Sequence, residues 1–267
     1  MRIGIIGCGG RMGRTNLKEV LATAGVELAG GSERKDSPLL GQDLGVLAGG
    51  EPIGIGATGD VKALVGASDA VIEFSSPDAT VRHAALCAEA GCAHVVGTTG
   101  LDEGGRAALE AAARRVPVVW APNMSQGVNL VLALVERVAR ALDPAFDIEV
   151  VEMHHRHKVD APSGTGLALA EAAARGRGID LAGAAIRARD GHTGPRPEGG
   201  IGFAVLRGGD VVGDHTVVFA GAGERIEIAH KAGDRAIYAK GAVRAARWTE
   251  GRAPGLYGMA DVLGLKG

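Results

Sequence analysis

The segment Met1–Gly13 reads MRIGIIGCGGRMG and decides the predicted fold. Its apolar first half is typical of a buried parallel strand, and the amphipathic stretch Asn16–Ala24 predicts a helix after the glycines. Glycines between a strand and a helix let the backbone turn tightly and let its N–H groups approach a pyrophosphate. Gly7, Gly10 and Gly13 are spaced as G-x-x-G-x-x-G and not as G-x-G-x-x-G. The loop therefore predicts a dinucleotide site only together with the strands and helices around it.

An acidic and a basic residue follow the second predicted strand, Val26–Ser32. Glu33 lies about twenty residues after the last loop glycine, where a carboxylate accepts from the ribose hydroxyls of a dinucleotide. The Arg34 guanidinium can stack on adenine or bind a 2′-phosphate. We therefore expect NADH, NADPH or both as coenzyme. The alternative is an exposed charged turn that leads into Lys35–Pro38.

Alternating strands and helices continue through the first half of the chain. Strand candidates at 69–74, 93–96 and 116–120 are each followed by a short loop, and Pro77 is suited to the first position of a helix that runs to about Ala90. Ligands of open parallel sheets bind beyond the carboxyl ends of the strands, although each loop alone would be an ordinary turn. The predicted coenzyme-binding residues are Gly7, Gly10, Arg11, Met12, Gly13, Glu33, Arg34, Phe74, Gly97, Thr98, Thr99, Ala121, Pro122, Asn123 and Met124.

The run Glu152–Thr165, EMHHRHKVDAPSGT, concentrates cations beside a helix-start signal. Ser163 reads as the N-cap of a helix that extends to about Arg175, because its hydroxyl can accept from unpaired backbone N–H groups. Helix N-termini bind carboxylates and phosphates through these groups and the helix dipole. The run therefore predicts an anion site with a proton carrier, His154 or His155.

Two other interpretations of this run remain open. A strand that ends in a solvated basic loop would have similar composition. Zinc would need His154, His155 and His157 together, but neighbours on an extended segment point to opposite sides and no cysteine completes a tetrahedral set. We therefore expect no metal.

After Thr165 the pattern changes to short β-like pieces at 185–188, 201–206, 216–220 and 225–229, with a last helix over about 235–248. Such pieces predict a second, α+β domain with a mixed, mostly antiparallel sheet. The loops at 191–194 and 209–216 lie either near the site or at a subunit contact.

The composition is consistent with a cytoplasmic enzyme. The net charge of −2 argues against a nucleic-acid partner, so the local basic run indicates a small acidic ligand. Three cysteines without C-x-x-C spacing are compatible with a reducing compartment: Cys8, Cys87 and Cys92. No apolar run is long enough to span a bilayer, and Met1 leads directly into a strand without a signal peptide.

Four motifs together give the chain a family resemblance. The motifs are Gly7-x-x-Gly10-Arg11-Met12-Gly13, Gly97-Thr98-Thr99-Gly100, His154–Thr165 and Gly191-His192-Thr193-Gly194. In their order and separation they closely resemble those of the 4-hydroxy-tetrahydrodipicolinate reductases, the dihydrodipicolinate reductases of bacterial and plant lysine biosynthesis. The resemblance implies a Rossmann-like parallel-sheet domain over 1–124, rejoined by about 235–267, and a substrate and tetramerisation domain over 125–234. Some relatives carry phenylalanine where this chain has Met124, a contact that looks to be mainly backbone.

The resemblance also implies a reaction and site roles. A cyclic imine with two carboxylates loses water and accepts a hydride from the nicotinamide, and a proton must then arrive. His154 would act as the general acid, Lys158 would stabilise developing charge, and His155, Gly164 and Thr165 would hold the substrate. We expect the His154 and Lys158 side chains to belong to a solvent-facing loop, and we expect the enzyme to be a homotetramer.

Two other functions remain as alternatives. A dinucleotide-sensing regulator would share the first domain but would need a DNA-binding element, and no basic helix-turn-helix pattern is visible. A dehydrogenase of another amino or keto diacid is the closer alternative, and turnover of the cyclic imine separates the three.

Overall fold

A computed structural model describes residues 1–265 of the chain. The strands are β1 (Arg2–Ile6), β2 (Glu27–Ser32), β3 (Ala70–Glu73), β4 (Ala93–Val96), β5 (Pro117–Trp120), β6 (Asp147–His154), β7 (Ala185–Ile186), β8 (Ile201–Arg207), β9 (Gly213–Gly221), β10 (Glu224–Ala232) and β11 (Gly255–Tyr257). The helices are α1 (Arg11–Ala22), α2 (Leu44–Leu47), α3 (Val61–Ala67), α4 (Pro77–Ala90), α5 (Glu103–Ala113), α6 (Gln126–Ala141), α7 (Gly164–Arg177), α8 (Leu181–Ala184), α9 (Ala236–Trp248) and α10 (Met259–Val262). They form two compact units, one of Met1–Gln126 with the segment from Ala236 onward, the other of Gly127–Arg235.

The first unit is built on a parallel sheet with the strand order β11-β5-β4-β3-β1-β2. All four residues of β3 and all four of β4 are buried, as expected for strands covered on both faces. The α/β Rossmann-like fold predicted from the sequence is therefore confirmed. The short edge strand β11 was not predicted, because three residues give no readable periodicity.

Helix boundaries differ from the prediction at α1. The helix begins at Arg11 and not at Asn16, so it includes the last glycine of the loop. The prediction started too late because Gly13 is a poor helix former. By contrast, the helix predicted from Pro77 has the predicted bounds, with Pro77 in its first turn and Gly91 in the left-handed conformation after its end.

Four helices of this unit, α2, α3, α5 and α10, were not predicted. The first three each have an aspartate at the N-cap whose carboxylate accepts from backbone N–H groups of the first turn: Asp43, Asp60 and Asp102. These caps were the sequence signal that could have located them.

The second unit contains the predicted mixed sheet, in the order β10-β9-β6-β8-β7. β9 pairs antiparallel with both β10 and β6, whereas β8 pairs parallel with β6 and β7. Alternate residues of β6 are buried, and they pack with apolar residues of α6 and α7 in one core. Because the side-chain period of a strand is two, Glu152 and His154 lie on the same buried face as Ile148 and Val150.

No helix within residues 1–265 combines the length and the apolar composition that a membrane span requires.

Candidate active site

The glycine loop of the first unit has the geometry of a phosphate cradle. Gly7 adopts a φ of 74°, which favours glycine. A Cβ at Gly13 would lie 2.0 Å from the Gly7 carbonyl oxygen, so only glycine lets α1 pack this close to the loop. Gly10 caps α1 without any side-chain hydrogen bond, which leaves the helix N-terminus uncovered by its own side chains.

Glu33 lies beside this loop. Its Oε1 accepts a hydrogen bond of 2.7 Å from the Gly9 N–H, and its Oε2 lies 3.3 Å from the Arg34 N. The Arg34 guanidinium is exposed and 3.9 Å from Asp36. The structure thus brings together the loop and the acidic residue that the sequence assigned to the ribose, and it leaves the Arg34 head group accessible.

The loops after β3 and β4 are in direct contact. A Cβ at Gly97 would lie 2.2 Å from the Phe74 ring, so glycine is required there. The Thr98 side chain is buried and Thr99 is exposed. Both loops leave the carboxyl ends of adjacent parallel strands, the edge where dinucleotides bind. The absence of a side chain at Gly97, next to the Phe74 ring, fits a close approach of a dinucleotide to the backbone of these loops.

The segment Ala121–Met124 follows β5 at the same edge of the sheet. Ala121 is buried, Pro122 is exposed and Asn123 is half-buried. The Met124 side chain is buried in the core, and a Cβ at Gly241 would lie 1.7 Å from the Met124 carbonyl oxygen. Any ligand contact of Met124 would therefore be through backbone, as the sequence comparison with phenylalanine implied.

In the second unit, His154 is the last residue of β6 and is 7% exposed. The expectation that this side chain belongs to a solvent-facing loop is therefore wrong for His154. The alternation of β6 continues to its final residue and turns the imidazole towards the buried face. His155, the next residue, is half-buried and lies off this face.

Glu152 connects His154 to the start of α7. Its Oε1 accepts from the Ser163 N–H at 3.0 Å and from the Arg207 guanidinium at 3.1 Å. Its Oε2 lies 3.3 Å from His154 Nδ1 and 3.5 Å from His215 Nε2, and it has no hydrogen bond of good geometry within residues 1–265. One buried carboxylate thus faces two imidazoles with an oxygen that is not fully used.

His154 and Glu152 have shifted pKa values. Burial lowers the pKa of His154 to about 4; Glu152 opposes this shift, while His215, Lys158 and Arg207 reinforce it. Burial would raise the pKa of Glu152, but the nearby His215 imidazole and the hydrogen bonds from Ser163 and Arg207 lower it to about 2. At neutral pH the free protein therefore holds a neutral His154 beside an ionised Glu152.

Lys158 and His155 border the accessible side of this region. Lys158 Nζ forms a 2.8 Å ion pair with Asp160, and its side chain is 21% exposed. A cavity of about 630 Å³ is lined by His155, Arg156, His157, Gly209 and Asp210. The cavity is open, and its lining combines the Arg156 cation and two imidazoles with the Asp210 carboxylate.

The predicted N-cap of α7 is confirmed. The Ser163 hydroxyl accepts from the Gly166 N–H at 3.0 Å and lies 3.1 Å from His215 Nε2. Gly164 is exposed, and a Cβ there would meet no atom within 4 Å. The space in front of the helix is therefore open at Gly164, where the sequence placed a substrate carboxylate, and Thr165 beside it is half-buried.

Sequence reasoning assigned no role to Glu152 or Arg207, and it placed His215 only in a loop over 209–216 near the site or at a subunit contact. This loop ends earlier than expected, because His215 belongs to β9. The period of β6 could have placed Glu152 beside His154, but His215 and Arg207 depend on the strand order. Glu152, His154 and His215 each offer one atom that could ligate a metal, and these three atoms lie within 4.8 Å of one another. This group differs from the three histidines that the sequence analysis considered for zinc. The Arg207 cation already balances this carboxylate, and we assign no metal to the site.

Comparisons with known proteins agree with this geometry. Residues 1–124 match the family model for the dihydrodipicolinate reductase N-terminus, and residues 127–263 match the model for its C-terminus. The chain is 58% identical to 4-hydroxy-tetrahydrodipicolinate reductase of Methylocella silvestris, covering 99% of this chain and 97% of that protein. It is 56% identical to the enzyme of the same name from Parvibaculum lavamentivorans, covering 100% of this chain and 98% of that protein.

A solved structure has the same fold. The dipicolinate-bound dihydrodipicolinate reductase of Paenisporosarcina sp. TG-14 superposes with a TM-score of 0.79 at 23% identity, over 98% of this chain and 99% of that one. With both family models matched in order along the sequence, the chain belongs to the dihydrodipicolinate reductase family.

Proposed function

We propose that the protein reduces 4-hydroxy-tetrahydrodipicolinate to tetrahydrodipicolinate with loss of water, in lysine and diaminopimelate biosynthesis. The observation that carries this proposal is the arrangement of Glu152, His154 and Ser163, because it places a proton carrier beside a helix N-terminus that can hold a carboxylate. The relatives that share this chain's full length carry the corresponding enzyme name.

The first unit, over 1–124 with about 235–267, binds the coenzyme in this proposal. NADH or NADPH supplies the hydride when bound. The Gly7–Gly13 loop would receive the pyrophosphate, Glu33 the ribose hydroxyls, and Arg34 a 2′-phosphate. Support comes from the uncapped start of α1 and from the 2.7 Å contact between Glu33 and the Gly9 N–H.

The second unit, over 125–234, binds the substrate. Gly164 and Thr165 would hold one carboxylate at the start of α7, and His155 would contact the substrate from the cavity that it lines. Planar pyridine-2,6-dicarboxylate should then bind more tightly than pyridine-2-carboxylate, by about one charge-assisted contact or roughly 1.5–3 kcal/mol. Equal inhibition constants for the two compounds would contradict paired carboxylate recognition.

His154 is the proposed general acid, with Lys158 stabilising the charge that develops on the ring. The low pKa of His154 in the free protein means that it must gain its proton as the anionic substrate binds, since nearby negative charge raises an imidazole pKa. Glu152 supports this role because its negative charge favours the imidazolium.

The direct test is oxidation of NADH and NADPH with freshly generated 4-hydroxy-tetrahydrodipicolinate. We expect turnover with the cyclic imine and none with open-chain keto or amino diacids. Turnover of an open-chain acid in preference to the imine would instead assign the protein to another class of dehydrogenase. Coenzyme binding without turnover of any acid would favour a sensor.

We further propose a homotetramer in the cytoplasm. The sheet face of the second unit that points away from α7 carries Val151, Met153 and Leu206, and Leu206 is 50% exposed. Cys8, Cys87 and Cys92 are unpaired thiols, as a reducing compartment would keep them. Light scattering should give four times the chain mass, and Leu206→Glu should lower it; a monomeric wild type would contradict the proposal.

A further inference from the structure

A second buried carboxylate, Glu73, ends β3 in the first unit, and neither the sequence analysis nor the proposed reaction uses it. It is 0% exposed. Two imidazoles contact it: His94 Nε2 lies 2.7 Å from its Oε2, and His83 Nδ1 lies 2.8 Å from its Oε1. The Ser75 hydroxyl also donates to Oε1. A buried charge is tolerated only when it is paired and hydrogen-bonded in this way.

These partners come from different parts of the fold. His94 belongs to β4 and His83 to α4, whereas Ser75 belongs to the exposed loop that follows β3. Glu73 therefore fastens a surface loop to two rigid elements. An apolar residue at this strand end would fill the same space without holding the loop.

The connection continues into the next loop. The Ser75 N–H donates to Thr98 Oγ1 at 3.0 Å, and the Thr80 hydroxyl donates to the same oxygen at 3.0 Å. The Trp120 indole lies 3.4 Å from the Thr98 carbonyl oxygen. The backbone makes a parallel link, because the Gly97 N–H donates to the Glu73 carbonyl oxygen at 2.9 Å. The loops after β3 and β4 are thus held together at a fixed spacing.

Both loops include residues that we assign to the coenzyme, namely Phe74 in one and Gly97–Thr99 in the other. Close contact between Phe74 and Gly97 tolerates no extra atom, so a shift of either loop would alter the surface that both present. Preorganised contacts bind more tightly than contacts that must first be ordered.

We propose that Glu73, with His83 and His94, is a positioning residue for coenzyme binding, which acts through Ser75 and Thr98 to fix the two loops in the arrangement that binds NADH and NADPH. The inference rests on the proposed function. It differs from a purely structural role, in which the cluster would stabilise the fold and leave coenzyme affinity unchanged.

The test uses Ser75→Ala and its conservative partner Ser75→Thr in the full-length protein. Ser75→Ala removes one of the three hydrogen bonds to the buried Glu73 carboxylate, so it should lower the melting temperature, and the destabilised control Val65→Ala separates this loss of stability from a loss of coenzyme affinity. Ser75→Ala should raise the dissociation constants of NADH and NADPH alike by about threefold to tenfold, the effect of one hydrogen bond. Ser75→Thr keeps the hydroxyl and should restore wild-type affinity.

Glu73→Gln adds a stronger perturbation, and Val65→Ala is its control. The control removes buried apolar atoms from another cluster of the same unit, so it should lower the melting temperature and leave coenzyme affinity unchanged. Glu73→Gln should raise both coenzyme dissociation constants beyond the Ser75→Ala effect, with the substrate KM at saturating coenzyme unchanged.

Fluorescence titration of the reduced coenzymes gives the result without turnover. Wild-type affinity in Ser75→Ala and Glu73→Gln would overturn the positioning role while the proposed function stands. A wild-type protein that binds neither coenzyme would overturn both. Loss of affinity in Val65→Ala equal to that in Glu73→Gln would also overturn the positioning role, because general destabilisation would then explain it.

Discussion

Each unit of the protein buries one glutamate near the end of a strand and surrounds it with two histidines and a serine. In the first unit, Glu73 has hydrogen-bond partners on both oxygens. In the second unit, Glu152 uses one oxygen fully, whereas its Oε2 and His154 Nδ1 have no hydrogen bond of good geometry within residues 1–265. A buried carboxylate with both oxygens hydrogen-bonded is held rigidly, whereas an unpaired oxygen on a buried carboxylate is a candidate for a catalytic role.

The two clusters also differ in which of their groups has a strongly shifted pKa and in what shifts it. Burial alone would raise the pKa of Glu73, but hydrogen bonds from His83 and His94 hold it well below its usual range. The second cluster adds Arg207 and lies near Lys158, and it leaves His154 neutral at pH 7. The same residue types thus serve positioning where both carboxylate oxygens are hydrogen-bonded, and proton transfer where one carboxylate oxygen lacks a hydrogen bond.

The largest expected effect comes from the incomplete cluster. His154→Ala should lower kcat by about 10²- to 10⁴-fold with little change in coenzyme affinity, because general acid catalysis acts only in the transition state. Lys158→Ala should lower kcat and also raise KM, since its fixed charge contacts the anionic substrate in both states. If both serve one proton-delivery step, the double variant should lose less than the sum of the single losses in free energy. Steady-state kinetics of the two single variants and the double variant measures these losses. Additive losses would show that His154 and Lys158 act in separate steps.

A matched pair of substitutions tests the two clusters directly. Glu152→Gln removes the charge that favours protonated His154, so kcat should fall at saturating coenzyme and substrate. In Glu73→Gln, saturating coenzyme should offset the weaker binding, and kcat should fall much less than in Glu152→Gln. Equal falls in kcat would remove the distinction between the clusters.

Stability against pH gives a third test. The pKa of Glu73 is depressed in the folded state, so its contribution is fully present above its ordinary pKa of 4.5 and is lost as pH falls below that value. Wild type should exceed Glu73→Gln in free energy of unfolding by about 3 kcal/mol at pH 7, as for a broken buried pair. The difference should shrink below pH 4.5. Urea unfolding at a series of pH values measures it, and a constant difference would show that Glu73 is not ionised in the fold.

The smallest expected effect concerns coenzyme choice. Glu33→Ala should weaken NADH more than NADPH, because the ribose hydroxyls lose an acceptor while Arg34 can still bind a 2′-phosphate. The difference should be about one hydrogen bond, roughly 1 kcal/mol. Parallel titrations with the two coenzymes measure it. Equal losses would remove Glu33 from the ribose role.

The sequence predicted the parts of the molecule that depend on local pattern. The β1–loop–α1 unit, the proline-started α4 and the Ser163 cap of α7 each have a short-range signal, and the structure contains all three. The family resemblance added the roles of His154 and Lys158, which spacing alone left open between neighbouring residues.

Features that depend on strand order could not be predicted. His215 faces Glu152 only because β9 lies beside β6, and His94 reaches Glu73 only because β4 lies beside β3. Neither histidine carries a local motif. The burial of His154 was mispredicted for a local reason, since the cationic run suggested a loop whereas the alternation of β6 extends to His154.

The measurement that tests the central claim most directly is the single-turnover rate of coenzyme oxidation at saturating substrate, compared between wild type and His154→Gln. Glu224→Gln, a change at an exposed residue of β10 in the same unit, serves as the control. We predict that His154→Gln slows this step by about 10²-fold or more while the fold and coenzyme affinity are retained, and that Glu224→Gln does not. A near-normal rate in His154→Gln would contradict the account and would place the general acid elsewhere, with His155 as the next candidate.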